Sequence, residues 1–209
     1  MKVCDKCREY GLNFKRPYDV AEFVEGYPDS PVWIIALNPG VETTWEDTRS
    51  GEKLASTFHD LVHDLARKNS YFRNFSRVSE WLYSRLGKSG GVAHTDLVKC
   101  SSPSWPPSGC SGSDVNQIVA NCTPFLHEQL TRFKPRIVIC NGADVCLYIK
   151  TAIPPDKPIG NSTTSYRGHV DGVEIWVVLS GFIGRIDNYA RMRLGAEVER
   201  IAEQIGVKS

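Results

Sequence analysis

The chain has 209 residues, 41% of them hydrophobic and 23% charged, with a formal net charge of +1. That length and composition fit one globular domain over residues 1–209 and exclude collagen, coiled coil and extended disorder. No apolar run approaches the about twenty residues that a membrane-spanning helix needs. Met1–Lys6 also lacks the apolar stretch of a secretory signal, so a cytoplasmic protein with no membrane contact is expected.

Charge is segregated along the chain. Residues 17–66 hold ten acids against Arg49 and Lys53, a net of −8. Residues 67–100 hold seven bases against Glu80 and Asp96, a net of +5. A local basic face of this kind suffices for phosphate contacts on a neutral protein. From charge alone, solvated helix faces with no partner are the simpler account.

In chain order, Cys4 and Cys7 come first, as C-x-x-C with nothing before it. Val32–Leu37 reads as a buried strand and runs into Asn38-Pro39-Gly40, a turn. Ser56–Lys68 shows apolar residues at helical spacing, and Val78–Leu86 follows with Trp81, Leu82 and Leu86. Val92–Val98 is a second strand, followed by Lys99-Cys100. Ser101–Ser113 is a Ser/Pro/Gly loop. Asp114–Phe133 is helical, with Ser113 or Asp114 as a plausible N-cap. Arg136–Cys140 is a third strand, Pro154–Gly168 a loop, Ile175–Leu179 a fourth strand, and Asn188–Ile205 a closing helix. The strands are short, rich in Val and Ile and mostly unbroken by polar residues, the pattern of parallel strands covered on both faces. The expected fold is therefore α/β, a three-layer α/β/α sandwich around a mainly parallel four-stranded sheet. Functional residues are expected beyond the carboxyl ends of the strands.

Seven cysteines without a secretory signal suggest thiols available for metal or redox chemistry rather than a disulfide framework. Cys4 and Cys7 supply half of a tetrahedral site, and the rest must come from Cys100, Cys110, Cys122, Cys140 or Cys146. Cys140 and Cys146 read as core thiols.

The pieces taken together are more specific than any one. C-x-x-C at the N-terminus, a strand ending in a Pro-Gly turn, V-K-C-x-x-P around Cys100, C-x-P-F-L from Cys122, Lys134-Pro135, and Asn141-Gly142-Ala143 stand in one order. The chain in this respect resembles the iron–sulfur uracil-DNA glycosylases of the family 4 and 5 type, from Cys4 to about Arg193. The resemblance implies a [4Fe–4S] cluster on Cys4, Cys7, Cys100 and Cys122, with residues 1–16 as an arm packed on the domain. Four thiolates are the usual ligation of such a cluster. Cys110 is a competing fourth ligand, and zinc in the same thiolates is the alternative. The implied activity is that of a monofunctional DNA-repair glycosylase acting as a monomer. It would flip a deaminated base, uracil by default, out of damaged DNA and hydrolyse its N-glycosidic bond. Hypoxanthine or xanthine is the alternative substrate, and a catalytically weak member that binds damaged DNA is the alternative role.

The chain also departs from the family pattern. Leu37-Asn38-Pro39-Gly40 looks like the N-P-G turn of mismatch-specific and single-strand-selective branches, whose asparagine positions the attacking water. Asn38 is thus the leading catalytic candidate, beside Pro39 and Gly40; taken alone, Asn38 fits ordinary turn chemistry. The uracil-reading asparagine of the family aligns with Asp96, which would have to be protonated or meet an amino group. The family's H-P-S motif aligns with Ser180-Gly181-Phe182, so the imidazole is missing and Ser180 is a candidate donor. Arg185 stands in the stretch that resembles the loop wedged into the duplex. Leu54 replaces the family's stacking aromatic, for which Trp45 or Phe182 could substitute. His59 and His63, four apart, have no obvious third ligand and read as a solvated pair.

Overall fold

The structure, a computed structural model, describes residues 2–16, 19–39 and 70–208. The chain opens on an antiparallel hairpin of β1 (Lys2–Cys4) and β2 (Phe14–Arg16), joined through a 3-10 turn at Arg8–Tyr10. Phe14 is buried edge-on against Phe23, with ring centroids 6.0 Å apart.

The main sheet has five strands: β3 (Val32–Ala36), β4 (Val92–Asp96), β5 (Ile137–Asn141), β6 (Ser165–Val170) and β7 (Val173–Ser180), in the order β4-β3-β5-β7-β6. All neighbours pair in parallel except β6, an antiparallel edge. The described helices are α1 (Ser70–Arg73), α2 (Glu80–Ser84), α3 (Gly112–Phe133), α4 (Ala143–Ala152) and α5 (Asn188–Gln204). α3 and α4 cover one face, where Ile35, Val138, Cys140 and Val177 point. α1, α2 and α5 cover the other, where Val32, Ile34, Ile137, Ile139 and Val178 point. Successive residues of one strand thus enter opposite cores, which is why the central strands read as unbroken apolar runs. The three-layer α/β expectation holds.

The sheet differs from the expected one in having a fifth strand. Ser165–Val170 alternates buried and exposed residues, as a half-covered edge does, and so lacks the apolar run of the inner strands. Gly168 sits in its middle because a Cβ there would lie 2.4 Å from the Pro154 carbonyl oxygen, where Pro155 bridges to the strand. The apolar stretch at 78–86 yields only the short α2, capped by Ser79, whose Oγ accepts from the Leu82 N–H at 3.1 Å. α3 starts earlier than expected: Ser111, not Ser113 or Asp114, is its N-cap, and Asp114 returns a bond to the Ser111 N–H. The helical segment expected at Ser56–Lys68 lies outside the described residues.

α5 is pressed onto the loop before α2 at Gly195. A Cβ on Gly195 would fall 1.8 Å from the Val78 carbonyl oxygen. Because backbone cannot swing aside as a side chain can, Gly195→Ala should destabilise the protein by about 1–3 kcal/mol or more. Thermal unfolding would show this as a clear drop in Tm; an unchanged Tm would mean that α5 can slide away from residue 78 at no cost.

Candidate active site

Parallel register lines up four strand ends. Ala36 pairs with Asp96, Ile35 with Cys140, and Asn141 with Ser180. Asp96, Ala36, Asn141 and Ser180 therefore stand at one level, on the sheet face that carries His94, Ile34, Ile139 and Val178 two residues earlier. Ala36, the smallest of the four, lies between Asp96 and Asn141, which at about 4.8 Å per strand are roughly 10 Å apart.

Asn38 follows on the turn after β3. Its Nδ2 donates to the carbonyls of Pro39 (2.9 Å) and Ser102 (3.3 Å). The same turn is tied to the loop after β4 by Leu97 N–H to Ala36, Val98 N–H to Leu37 and Ser102 N–H to Pro39. The amide is thereby held with its N–H2 side toward backbone, and its carbonyl oxygen is the side left to accept a bond. Pro39 is half-buried in this turn.

Asp96 is 2% exposed, and its Oδ1 is buried with no hydrogen-bond partner among the described residues. Burial, with Glu25 adding to it and His94 and Lys99 opposing, pushes its pKa up to about 7. Lys99, also buried, does not pair with this carboxyl group. Its ammonium donates to the Asp96 main-chain oxygen, to Thr95 Oγ1 (2.9 Å) and to Gln129 Oε1 (2.6 Å). Thr95 and Gln129 both donate to the Phe23 carbonyl, so Lys99 knots β4, α3 and the chain before β3 together.

Behind Asp96, His94 Nδ1 bonds the Glu25 carboxylate. Glu25 also bridges β4 through both backbone groups and so covers that edge of the sheet. His94 Nε2 lies 3.0 Å from the Tyr71 hydroxyl, to which Asn141 Nδ2 donates at 2.7 Å. One donor atom each of Glu25, His94 and Asp96 lies within 4.8 Å of the other two, a spacing a cation could bridge, although the Glu25–His94 bond already joins two of them.

After β7, Ser180 is half-buried and its Oγ donates to the Gly181 carbonyl at 2.9 Å. The next turn is nailed down at Ile183, fully buried, whose N–H donates to Asn141 Oδ1 (2.7 Å) and whose carbonyl accepts from Arg191 Nε and Nη2. Phe182 and Arg185 project on either side of that anchor, both exposed. The Phe182 ring lies nearly parallel to that of Tyr71, 16° between planes and 6.1 Å between centroids.

The cysteine pocket is on the other face. Cys7, Cys100 and Cys122 are buried there, and Cys4 is half-buried against the same core. Thiol hydrogen bonds from Cys100 and Cys122 hold Cys7 down to about 3, and the same bonds raise Cys100 and Cys122. Cys4 acts electrostatically on Cys100 as well. Asn121 of α3 fixes the arm by donating to the Lys6 carbonyl at 2.8 Å. Four sulfurs from three chain segments, one of them favoured as thiolate, are a donor set suited to a thiophilic metal or cluster.

Gly40, Trp45, Leu54, His59 and His63 lie outside the described residues. The sequence reading missed Tyr71, Glu25, His94 and Asn141 as site residues. Two signals could have found some of them: His94 is a buried polar residue two before Asp96, hence on its face, and Asn141 is a polar strand terminus. Tyr71, on a one-turn helix, carried no such signal.

A family model described as Uracil DNA glycosylase superfamily matches residues 23–180, well over half of the chain. No curated protein matches it. No helix among the described residues is long and apolar enough to cross a membrane.

Because Asp96 is held above the ordinary carboxyl value of 3.8, its neutral form is the one the fold favours. Stability is therefore lost as pH rises from about 4 through about 7. Asp96→Asn, which cannot ionise, should match the native Tm near pH 4 and exceed it by on the order of 5 °C at pH 8. A constant difference across that range would show that the fold does not raise the Asp96 pKa.

Proposed function

The chain belongs to the uracil DNA glycosylase superfamily, and from that premise we propose that it is a monofunctional DNA glycosylase excising uracil from damaged DNA. Members of the superfamily are DNA glycosylases, hydrolases of base excision repair. The observation that carries the reading is the clamped Asn38 amide beside the row of strand ends. Its carbonyl oxygen accepts a hydrogen bond from a water and aims that water at the sugar C1′ as the base departs. Asn is a poor base, but bond cleavage through an oxocarbenium-like state asks for orientation of the water more than its deprotonation.

Asp96 reads the base. At a pKa of about 7 it offers, when protonated, one O–H donor and one acceptor oxygen, the pattern that meets uracil O4 and N3–H. Its buried, unpartnered Oδ1 favours a ligand donor there. The same carboxyl group supports a second reading, in which an ionised Asp96 takes a deaminated purine or another base that presents a donor edge. Pro39 shapes the pocket wall and Phe182 lies against the base face; the resemblance assigns the same roles to Gly40 and to Trp45 or Leu54, which lie outside the described residues. Ser180 closes the row at the end of β7, and its hydroxyl, which donates to the Gly181 carbonyl, would have to turn to donate toward the base. Arg185, exposed on the turn after β7, enters the opened duplex. Lys99, the lysine beside Asp96, has its ammonium engaged by the Asp96 main-chain oxygen, Thr95 and Gln129 rather than open to form a Schiff base, so the reading carries no lyase step.

Cys4, Cys7, Cys100 and Cys122 would hold a [4Fe–4S] cluster, with zinc as the alternative, and a metal there would pin the N-terminal arm to the loop after β4 and to α3. Their place on the opposite sheet face from Asp96 supports a structural role. The purified protein should be brown and carry about four irons per chain; a colourless protein with one zinc would assign the site to zinc.

Labelled oligonucleotides carrying uracil, hypoxanthine or xanthine test the activity through the alkali-labile abasic sites that excision leaves. Asn38→Ala should bind uracil-containing DNA nearly as the native protein does while cleaving on the order of 10²-fold more slowly in single turnover. Excision of uracil should rise as pH falls through about 7, and Asp96→Asn should flatten that profile. Absence of any abasic product on all three substrates would leave a DNA-binding protein, and an unchanged rate for Asn38→Ala would remove Asn38 from the chemistry.

A further inference from the structure

We infer that Glu25, His94 and Asp96 form a binding site for a divalent first-row transition cation, with one imidazole nitrogen and two carboxylate oxygens as its protein ligands. The site stands apart from the four thiols on the opposite face of the sheet and does not depend on the glycosylase reading. One donor atom from each of the three residues lies within 4.8 Å of the other two. Ligand atoms about 2.0–2.2 Å from one metal ion stand about 3.0–3.6 Å from each other. No spacing in the triad therefore has to close by more than roughly 2 Å, while the Glu25–His94 contact opens slightly.

The backbone brings the triad together. Glu25 and His94 face each other across an antiparallel bridge, with Glu25 N–H to the His94 carbonyl at 2.7 Å and His94 N–H to the Glu25 carbonyl at 2.8 Å. Asp96 follows His94 by two residues and so points to the same face of β4. His94 is 3% exposed, and the rings of Tyr71 and Phe72 pack edge-on against its imidazole. Glu25, whose side chain is 20% exposed, is the member that solvent reaches. An ion would enter from that side and complete its coordination there with water.

A second observation points to a ligand. The Asp96 carboxyl is buried, and its Oδ1 has no hydrogen-bond partner among the described residues. A buried polar atom left in that state costs free energy that a bound cation would recover. Lys99 does not relieve it: the ammonium is engaged by Thr95 Oγ1, Gln129 Oε1 and the Asp96 main-chain oxygen, and Thr95 alternates to the other face of the strand. The surroundings of His94 also suit a ligand. With Nδ1 on the ion, Nε2 keeps its proton and donates to the Tyr71 oxygen 3.0 Å away, the kind of outer bond that fixes the tautomer of a metal-bound histidine. The ion takes the place of the proton that Nδ1 shares with Glu25. That proton, and the one on Asp96 where it is protonated, pass to solvent. Two carboxylates and a neutral imidazole then balance a divalent charge, and a nitrogen–oxygen set without sulfur suits manganese, iron(II) or zinc rather than copper(I) or a cluster. The cation needs Asp96 as a carboxylate, so it and the protonated, base-reading form exclude each other.

Manganese(II) is the probe, because it prefers oxygen and nitrogen donors and leaves thiolates to softer metals. Titrated into the purified native protein just above neutral pH, it should lose its free-ion EPR signal up to about one ion per chain. The bound ion should show the spin-echo modulation of a directly coordinated imidazole nitrogen. Asp96→Asn and Glu25→Gln, each shown by its metal-free Tm to be folded, should weaken binding on the order of 10²-fold, the upper end of what losing even an outer-shell partner costs. A free-ion signal that persists in the native protein, or bound manganese without nitrogen coupling, would overturn the inference, and both are read without any variant. Binding that survives both substitutions would overturn it as well, by placing the ion on other carboxylates. None of these outcomes touches the glycosylase reading, which the oligonucleotides test separately.

Discussion

Four parallel strands paired in register put Ala36, Asp96, Asn141 and Ser180 at one level and on one face of the sheet. The whole site depends on that register. A slip of one residue in β4 would send Asp96 and His94 into the core beneath α3, and the site would lose its carboxyl and its imidazole together. The register is held from both sides. Outside β4, Glu25 pairs with His94 by two backbone bonds. Beneath the sheet, buried Lys99 ties the end of β4 to Thr95 and to Gln129 of α3. The apolar alternation of the strands then fixes which residues face which core.

The electrostatics of the site follow from its placement at the dry edge of that core. Glu25, His94, Asp96 and Lys99 are four ionisable groups within two strands' width, only one of them more than slightly exposed. Burial works against charge on His94, Asp96 and Lys99, and each group's neighbours decide how far it yields: Glu25 wins for His94, while Asp96 and Lys99 are both pushed to about 7. Titratable groups poised near neutrality in a cleft are common where proton and charge traffic matters. Here such groups gather at the carboxyl end of β4.

Much of the fold was legible because central parallel strands announce themselves. Val32–Ala36, Ile137–Asn141 and Val173–Ser180 bury side chains on both faces, and strands so covered are rich in Val, Ile and Leu rather than alternating in polarity. β6 was not legible, since an edge strand with alternating polarity and a central glycine reads like a loop until its partner is known. Asn38, Asp96 and Ser180 could be placed because a residue just past a strand end in this architecture faces the cleft whatever its side chain does. Tyr71 could not. It reaches the site only through tertiary packing of a one-turn helix, and neither its spacing nor its neighbours in sequence mark it.

The cysteines show the same division between local and tertiary information. C-x-x-C states that Cys4 and Cys7 can share a ligand, but it does not name the other two thiols. Those are set by where the chain leaves β4 and by which turn of α3 passes the arm, and the structure brings Cys100 and Cys122 to Cys7. The first of these selections runs through residues next to the row of strand ends: Cys100 follows Lys99, and the loop beyond it supplies Ser102, whose carbonyl holds the Asn38 amide. Anything that fixes Cys100 therefore also fixes the acceptor that orients Asn38. Because a metal on these thiols would close this loop against the arm and α3, its loss should be felt beyond the loop, at the Asn38 turn that Ser102 holds, before the sheet itself gives way.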